Sequence, residues 1–459
     1  MQIFPLFSPV ARTLRASRKT PIAAFLLAFS SGVVYAEEDK AWSPPGFPSE
    51  VEWTFNFDAS IGAFGFNDSL YTEPKPDNIS GDLTDDWLEG AIKPSFGGVY
   101  TTDNSSQIYG KFSVVGERTY GNSPPLVGGD ASSFKEEDLY IGWRSGNSIG
   151  GEENVLDLSI GRTQYQLGHG MLVYDGASEG GSYGGFWTNA RKAFELAVIG
   201  RYTPGNNTFE AFYLDKDELP ESDSDTVLSG FNYEYAIGED TTLGATYMAV
   251  SADPDDNALR DGMDVYNLRA FTAPFPALKA LSFELEYAKE ENGEILDSTA
   301  WNALAAYQFD SSWAPKLSYR YAYFEGDDPE TETYEGFDGL LTGFYDWGSW
   351  WQGEIAGEYF LSNSNLISHQ IRLHTTPTES LSTGLIYYNF LLDNPAAAGE
   401  NVTSDNVANE LDWYADWAIN DNFMLSLVLA VADPNHAMKQ STGRSDTFTY
   451  GMVYLAYSF

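Results

Sequence analysis

Residues 447–459 close the chain on an aromatic-rich stretch that ends at Phe459. Laid out as extended backbone, Val453, Leu455, Tyr457 and Phe459 fall on one face and Met452, Ala456 and Ser458 on the other. A strand of this kind left at the edge of a sheet is a template for unwanted pairing. A closed barrel in a membrane removes the edge by pairing the last strand with the first, so that no backbone polar group meets lipid unsatisfied. A buried terminal strand of a soluble β-sandwich would carry the same pattern. The rest of the chain separates the two.

The same two-residue alternation returns along the whole sequence. Trp53, Phe55, Phe57, Ala59 and Ile61 share one face, with Thr54, Asn56, Asp58 and Ser60 on the other. Comparable cores lie near 108–114, 139–143, 194–202, 209–213, 231–235, 243–247, 266–270, 281–287, 301–309 and 317–323. Further cores lie at 353–361, 371–373, 411–417 and 423–431. With their flanks most reach about ten residues, the length of a tilted strand crossing a bilayer. The connections alternate in kind. Residues 203–206, 237–240, 376–379 and 419–421 are short turns, while 215–225, 252–262, 289–297, 325–335 and 393–405 are long acidic loops. Short turns on one side and long loops on the other are the pattern of an outer-membrane barrel. The reading is therefore all-β, a transmembrane antiparallel β-barrel with both termini periplasmic. The strand number must be even, 18 or 20, with residues 339–347 the weakest strand candidate.

Both ends fit this reading. Arg12, Arg15, Arg18 and Lys19 precede a short apolar run and a small-residue site at Val34, Tyr35 and Ala36, so residues 1–36 read as a secretory signal peptide. Residues 37–51, with Pro44, Pro45 and Pro48, read as a short periplasmic leader, and 52–459 as one barrel. No stretch is apolar for long enough to be a membrane-crossing helix. With 67 acidic against 25 basic residues, the chain is not suited to nucleic acid, whose phosphates need Lys and Arg. There is no cysteine, hence no disulfide framework. No pattern calls for a cofactor. His169, His369, His374 and His436 lack metal-site spacing, and Ser362 or Ser368 near His369 is a thin basis for catalysis, because His369 shares the outward face with Ile371 and Leu373. Asp175 and Glu179 among glycines are the one place where calcium comes into question.

Residues 158–195 depart from the rest. Two strands flank a connection dense in glycine yet rich in Met171, Leu172, Val173, Phe186 and Trp187, which suits a packed element better than a loose loop. Arg162, His169, Asp175, Arg191 and Lys192 make it a candidate constriction loop folded into the lumen. Arg162 shares a face with Leu158 and Ile160, so it reaches the lumen only if Gly161 marks a bulge.

In combination these residues resemble the alginate-export family of bacterial outer-membrane barrels. The likeness runs through Ile160 to Gln164, Gly168-His169-Gly170, Gly184 to Trp187, Arg191 to Glu195, Gly262 to Arg269, Pro315 to Tyr321, Asp346 to Trp350, Gln352 to Tyr359 and Ser362 to Asn365. The resemblance implies a monomeric barrel of 18 strands that passes an anionic polysaccharide such as alginate outward through an arginine-rich lumen. Its other partners would be outer-membrane lipid and the outer-membrane assembly machinery.

Strand parity sends Arg144, Arg201, Arg269, Lys316, Arg320 and Arg372 inward as pore-lining bases, together with Lys93, Lys111 and His374. Glu117, Asp157, Glu195, Glu284, Glu286, Glu354, Glu358, Asp412 and Asp416 point the same way. Two arrangements are open: a basic ladder on one wall that hands carboxylates along, or a salt-bridged interior that keeps the barrel round. The matching functions are polysaccharide export, a diffusion porin for small anionic or sugar solutes, or a non-conducting surface or interaction barrel.

Overall fold

The computed structural model describes residues 48, 50–67, 85–121, 131–149, 152–174, 176–177, 185–188, 190–219, 223–275, 277–350 and 352–459. Residues 1–36, expected to be a signal peptide, most of 37–51, Asp175 and Glu179 lie outside the described residues.

Eighteen antiparallel strands follow one another around a ring. They are β1 (Val51–Asn67), β2 (Asp85–Thr101), β3 (Gln107–Gly121), β4 (Ser132–Arg144), β5 (Leu156–Arg162) and β6 (Leu196–Tyr202). Next come β7 (Asn207–Asp215), β8 (Val227–Ile237), β9 (Thr241–Ser251), β10 (Met263–Thr272), β11 (Leu281–Asn292) and β12 (Leu296–Gln308). The ring is completed by β13 (Lys316–Phe324), β14 (Leu366–Thr378), β15 (Leu381–Leu391), β16 (Asn406–Ala418), β17 (Phe423–Pro434) and β18 (Phe448–Ser458). β18 pairs back onto β1, from Asp58 opposite Ser458 to Asn67 opposite Thr449. Phe57 and Phe459 exchange both backbone hydrogen bonds, at 3.0 and 3.1 Å, so the terminal aromatic residue helps to shut the seam.

Alternation decides what faces what. Along β18, Phe448, Tyr450, Met452, Tyr454 and Ala456 are buried inside, while Val453 lies exposed on the outer face. Leu139, Ile141, Leu268, Leu285, Leu411 and Leu429 extend that exposed apolar face around the ring. An apolar outer band is what a bilayer demands of such a sheet.

Three expectations are corrected. Residues 339–347 and 353–361 form no strand. Both lie inside the barrel, where Trp347, Ile355, Ala356 and Tyr359 are buried. Gly353, at φ +92°, breaks the extended path and Gly353–Gly357 close into a π-helical turn. Removing both candidates from the larger count gives 18. Residues 289–297 are no long loop either. Gly293, at φ +56°, makes a tight turn, and Lys289 reaches across it to pair with Asp297, so β11 and β12 run on almost to its apex. Of the remaining connections, 145–155 on the short-turn side is as long as several on the other rim; the rest keep the expected alternation, with 325–335 being the start of a much longer segment, 325–365.

Candidate functional site: two loops inside the barrel

The described residues of 163–195 and 325–365 leave the long-loop rim and turn into the lumen. Gly161 starts the first turn. It has φ +130°, and a Cβ there would strike the Leu139 carbonyl oxygen. This local twist carries Arg162 off the lipid-facing row, and its guanidinium pairs with Asp217 at 2.6 Å. Arg191 binds the same Asp217 oxygen and donates to the Glu136 carbonyl at 3.1 Å. Lys192 lies over the Tyr174 ring, 5.4 Å from its centre.

The wall holds this loop mainly by its backbone. Glu89 on β2 accepts hydrogen bonds from the Trp187 amide at 2.9 Å and the Thr188 amide at 2.7 Å. Glu137 on β4 accepts from the amides of Lys192 and Ala193 at 2.6 and 3.0 Å, and Glu117 on β3 from that of Ala190. Around these clamps Trp187 packs on Phe64 and Tyr454, with ring centres 5.2 Å apart in both pairs.

The tip of the loop reaches far down the barrel. His169 is stacked between Phe271 (3.9 Å) and Tyr345 (4.3 Å), and its Nδ1 lies 3.1 Å from Glu284. Phe271 is the penultimate residue of β10, at the short-turn side. Gly168 makes this approach feasible, because a Cβ there would sit 2.7 Å from the Arg269 side chain.

The second loop docks on a neighbouring stretch of the wall and on the first loop. Leu172 and Leu341 join the two by backbone bonds beside the Val173–Leu341 bridge. Glu410 on β16 accepts from the Ile355 and Ala356 amides, both at 2.7 Å. Trp347 donates to Asp416 at 2.8 Å and stacks on Tyr414 at 5.0 Å. Burial disfavours the Asp346 carboxylate, but Arg372 beside it prevails and holds it below the usual carboxylate range.

All six expected pore-lining bases occupy inward strand positions, but in two kinds of surroundings. Arg269 and Arg320 are only 4% exposed. Arg269 is bound by Thr246, Asn232 and Asn267 and lies 3.6 Å from Glu234. Arg320 donates to the carbonyls of Gly348 and Ser349 and lies 4.8 Å from the centre of the Trp350 ring. Arg144, Arg201 and Lys316 lie at the short-turn ends of β4, β6 and β13, while Arg372 is midway along β14. The side chains of Arg144 and Arg201 are 39% and 45% exposed, although paired with Asp157 and Glu210. Lys316 is exposed opposite His374. Arg372 holds Asp346 at 2.6 Å and Tyr414 at 2.7 Å, and Tyr414 also meets His374 at 2.7 Å. Glu354 and Glu358, expected on a strand, belong to the second loop instead.

The backbone clamps Glu89 and Glu137 were not singled out from the sequence. Glu89 carried only its inward parity as a signal, and Glu137 sits at an irregularity of β4 where parity changes.

No curated protein matches the chain. Solved structures share its fold at low identity. Pseudomonas aeruginosa OccK5 (OpdH) has a TM-score of 0.56 and 11% identity over 88% of this chain and 98% of that one. P. aeruginosa OccK7 (OpdD) has a TM-score of 0.53 and 11% identity over 89% and 99%. Acinetobacter baumannii OccAB4 has a TM-score of 0.54 and 10% identity over 88% and 98%. The family model described as "Alginate export" matches residues 129–451, most of the barrel and both inward loops. With the ring closed at 18 strands and its outer face apolar, the chain belongs to the alginate export family of outer-membrane β-barrel channels.

Proposed function

We propose that this channel passes anionic saccharides, uronate polymers such as alginate being the substrate class, from the periplasm outward. The observation that carries this is the position of the solvent-reachable bases. Arg144, Arg201 and Lys316 sit at the short-turn mouth, and Arg372 lies deeper, beside the second loop. A guanidinium offers a carboxylate two parallel donors, and neighbouring bases let one sugar acid exchange for the next. External acidic loops are screened beyond about 8 Å in physiological salt, whereas charges in a narrow passage are screened less. The mouth therefore sets selectivity against the chain's overall charge of −42.

The test is a planar-bilayer recording under a salt gradient, repeated with uronate monomers and oligomers. The expected channel prefers anions and is blocked by oligomers added on the periplasmic side at concentrations where monomers pass. A cation-preferring channel discards the reading. Equal passage of monomer and oligomer points to a diffusion porin for small solutes. The inward packing of both loops supports a second reading, a closed barrel acting as a surface or interaction protein. Absence of conductance under every condition selects it.

A further inference from the structure

The second loop carries two carboxyl groups into a wall that offers them no cation. Glu354 and Glu358 are 5% and 8% exposed, and Glu354 Oε2 and Glu358 Oε1 have no hydrogen-bond partner. The loop segment packs on β16, β17 and β18. From β16 it meets Glu410, Asp412 and Asp416. The inward positions of β17 hold no titratable group, and β18 contributes Tyr450. From β2 come Asp85 and Glu89, and from the loop itself Tyr359. Glu89 and Glu410 accept hydrogen bonds from backbone amides. Among the described residues, the cation that acts on this wall, through Asp416, is Arg372, which is committed to Asp346.

We infer that the 325–365 loop is a proton-locked gate: Glu354 and Glu358 must be protonated for it to stay docked, and loss of those protons releases it and opens the lumen. It requires only that the barrel conducts, not any particular solute. The physical cause is the cost of placing an unpaired carboxylate out of water. Burial first, then Glu410 and Asp416, pushes the Glu354 carboxyl well above the ordinary range; burial, Glu354 and Glu89 do the same for Glu358. In the released loop both groups return to an ordinary value near about 4.3. A carboxyl whose docked value is raised binds more protons docked than released. The docked state is thus fully favoured below the ordinary value and loses ground as pH rises toward the raised one. Above that ordinary value each carboxyl weakens docking by up to about tenfold per pH unit, and the two together by up to about a hundredfold.

The test uses the full-length barrel in planar bilayers and in vesicles between pH 7 and pH 10. The wild type should pass from a low to a high conductance level with a slope steeper than one proton. The Glu354→Gln/Glu358→Gln double variant keeps the shape of both side chains and loses the charge, so it should stay at the low level throughout. Because the chain has no cysteine, Ser362→Cys offers a single site for a spin label beside the segment. The label should gain mobility in the same pH window in the wild-type background and not in the double variant. A label that moves in a barrel without current upholds the gate and rejects conduction. A label equally immobile at pH 7 and pH 10, or a double variant with the wild-type pH profile, overturns the proposal.

Discussion

Arg320 and Arg372 occupy inward positions on adjacent strands, and their surroundings give substitution opposite consequences. Arg320→Ala leaves the buried Gly348 and Ser349 carbonyls short of a donor, at about 1–3 kcal/mol for each group left unsatisfied. It should lower the temperature at which the barrel loses its compact gel mobility, and loosen the second loop. Arg372→Glu acts on a partly exposed group midway along β14, at the margin of the second loop. It should move the reversal potential toward cation preference, with a smaller thermal shift than Arg320→Ala; equal thermal losses would mean that both arginines are structural. Gly168→Ala places a methyl against Arg269 in a backbone region that L-residues disfavour. A loss of about 1–2 kcal/mol is expected, read in the same gel assay. That these side chains point inward was legible from two-residue periodicity alone. Which of them meet solvent was not, because the loops that cover Arg269 and Arg320 approach from elsewhere in the chain, and periodicity carries no information about such contacts.

At the scale of elements, the strands follow from local alternation and the inward loops do not. Residues 353–361 show why. Ile355, Gly357, Tyr359 and Leu361 alternate with Glu354 and Glu358 as a membrane strand would, yet the segment is surrounded by other side chains and needs no sheet partner. Its carboxyls looked like lumen-facing groups of a wall and are instead part of what fills the lumen. The clamps that hold the loops read main-chain amides, so most substitutions at Trp187, Thr188, Lys192, Ala193, Ile355 and Ala356 leave the clamping bond intact. Proline alone removes it. Ala356→Pro should therefore release the second loop and raise conductance at neutral pH, whereas Ala356→Ser should not. Matching conductances for the two variants would show that the Glu410 clamp does not hold the loop.

The ring as a whole was the most legible level, since alternating strands and unequal connections on the two rims leave few other architectures. Its orientation is open to a direct check. An epitope inserted at Asp327 should be reached by antibody on intact cells and one at Gly205 should not; the reverse pattern would turn the barrel over. On the outer face, Leu268→Arg should cost about 2–4 kcal/mol if the residue lies at mid-membrane, seen as a loss of folded barrel in the outer-membrane fraction. The seam between β1 and β18 carries a further consequence for how the molecule is made. Asp58 and Ser458, hydrogen-bonded across it, are 400 residues apart in sequence, and every intermediate that lacks β18 has two raw sheet edges facing outward. No portion of the chain can reach a sealed state early, so the order of synthesis offers no head start to folding. The last strand to emerge acts as a lock on all the others, and a lesion confined to it forfeits the whole ring rather than a corner of it.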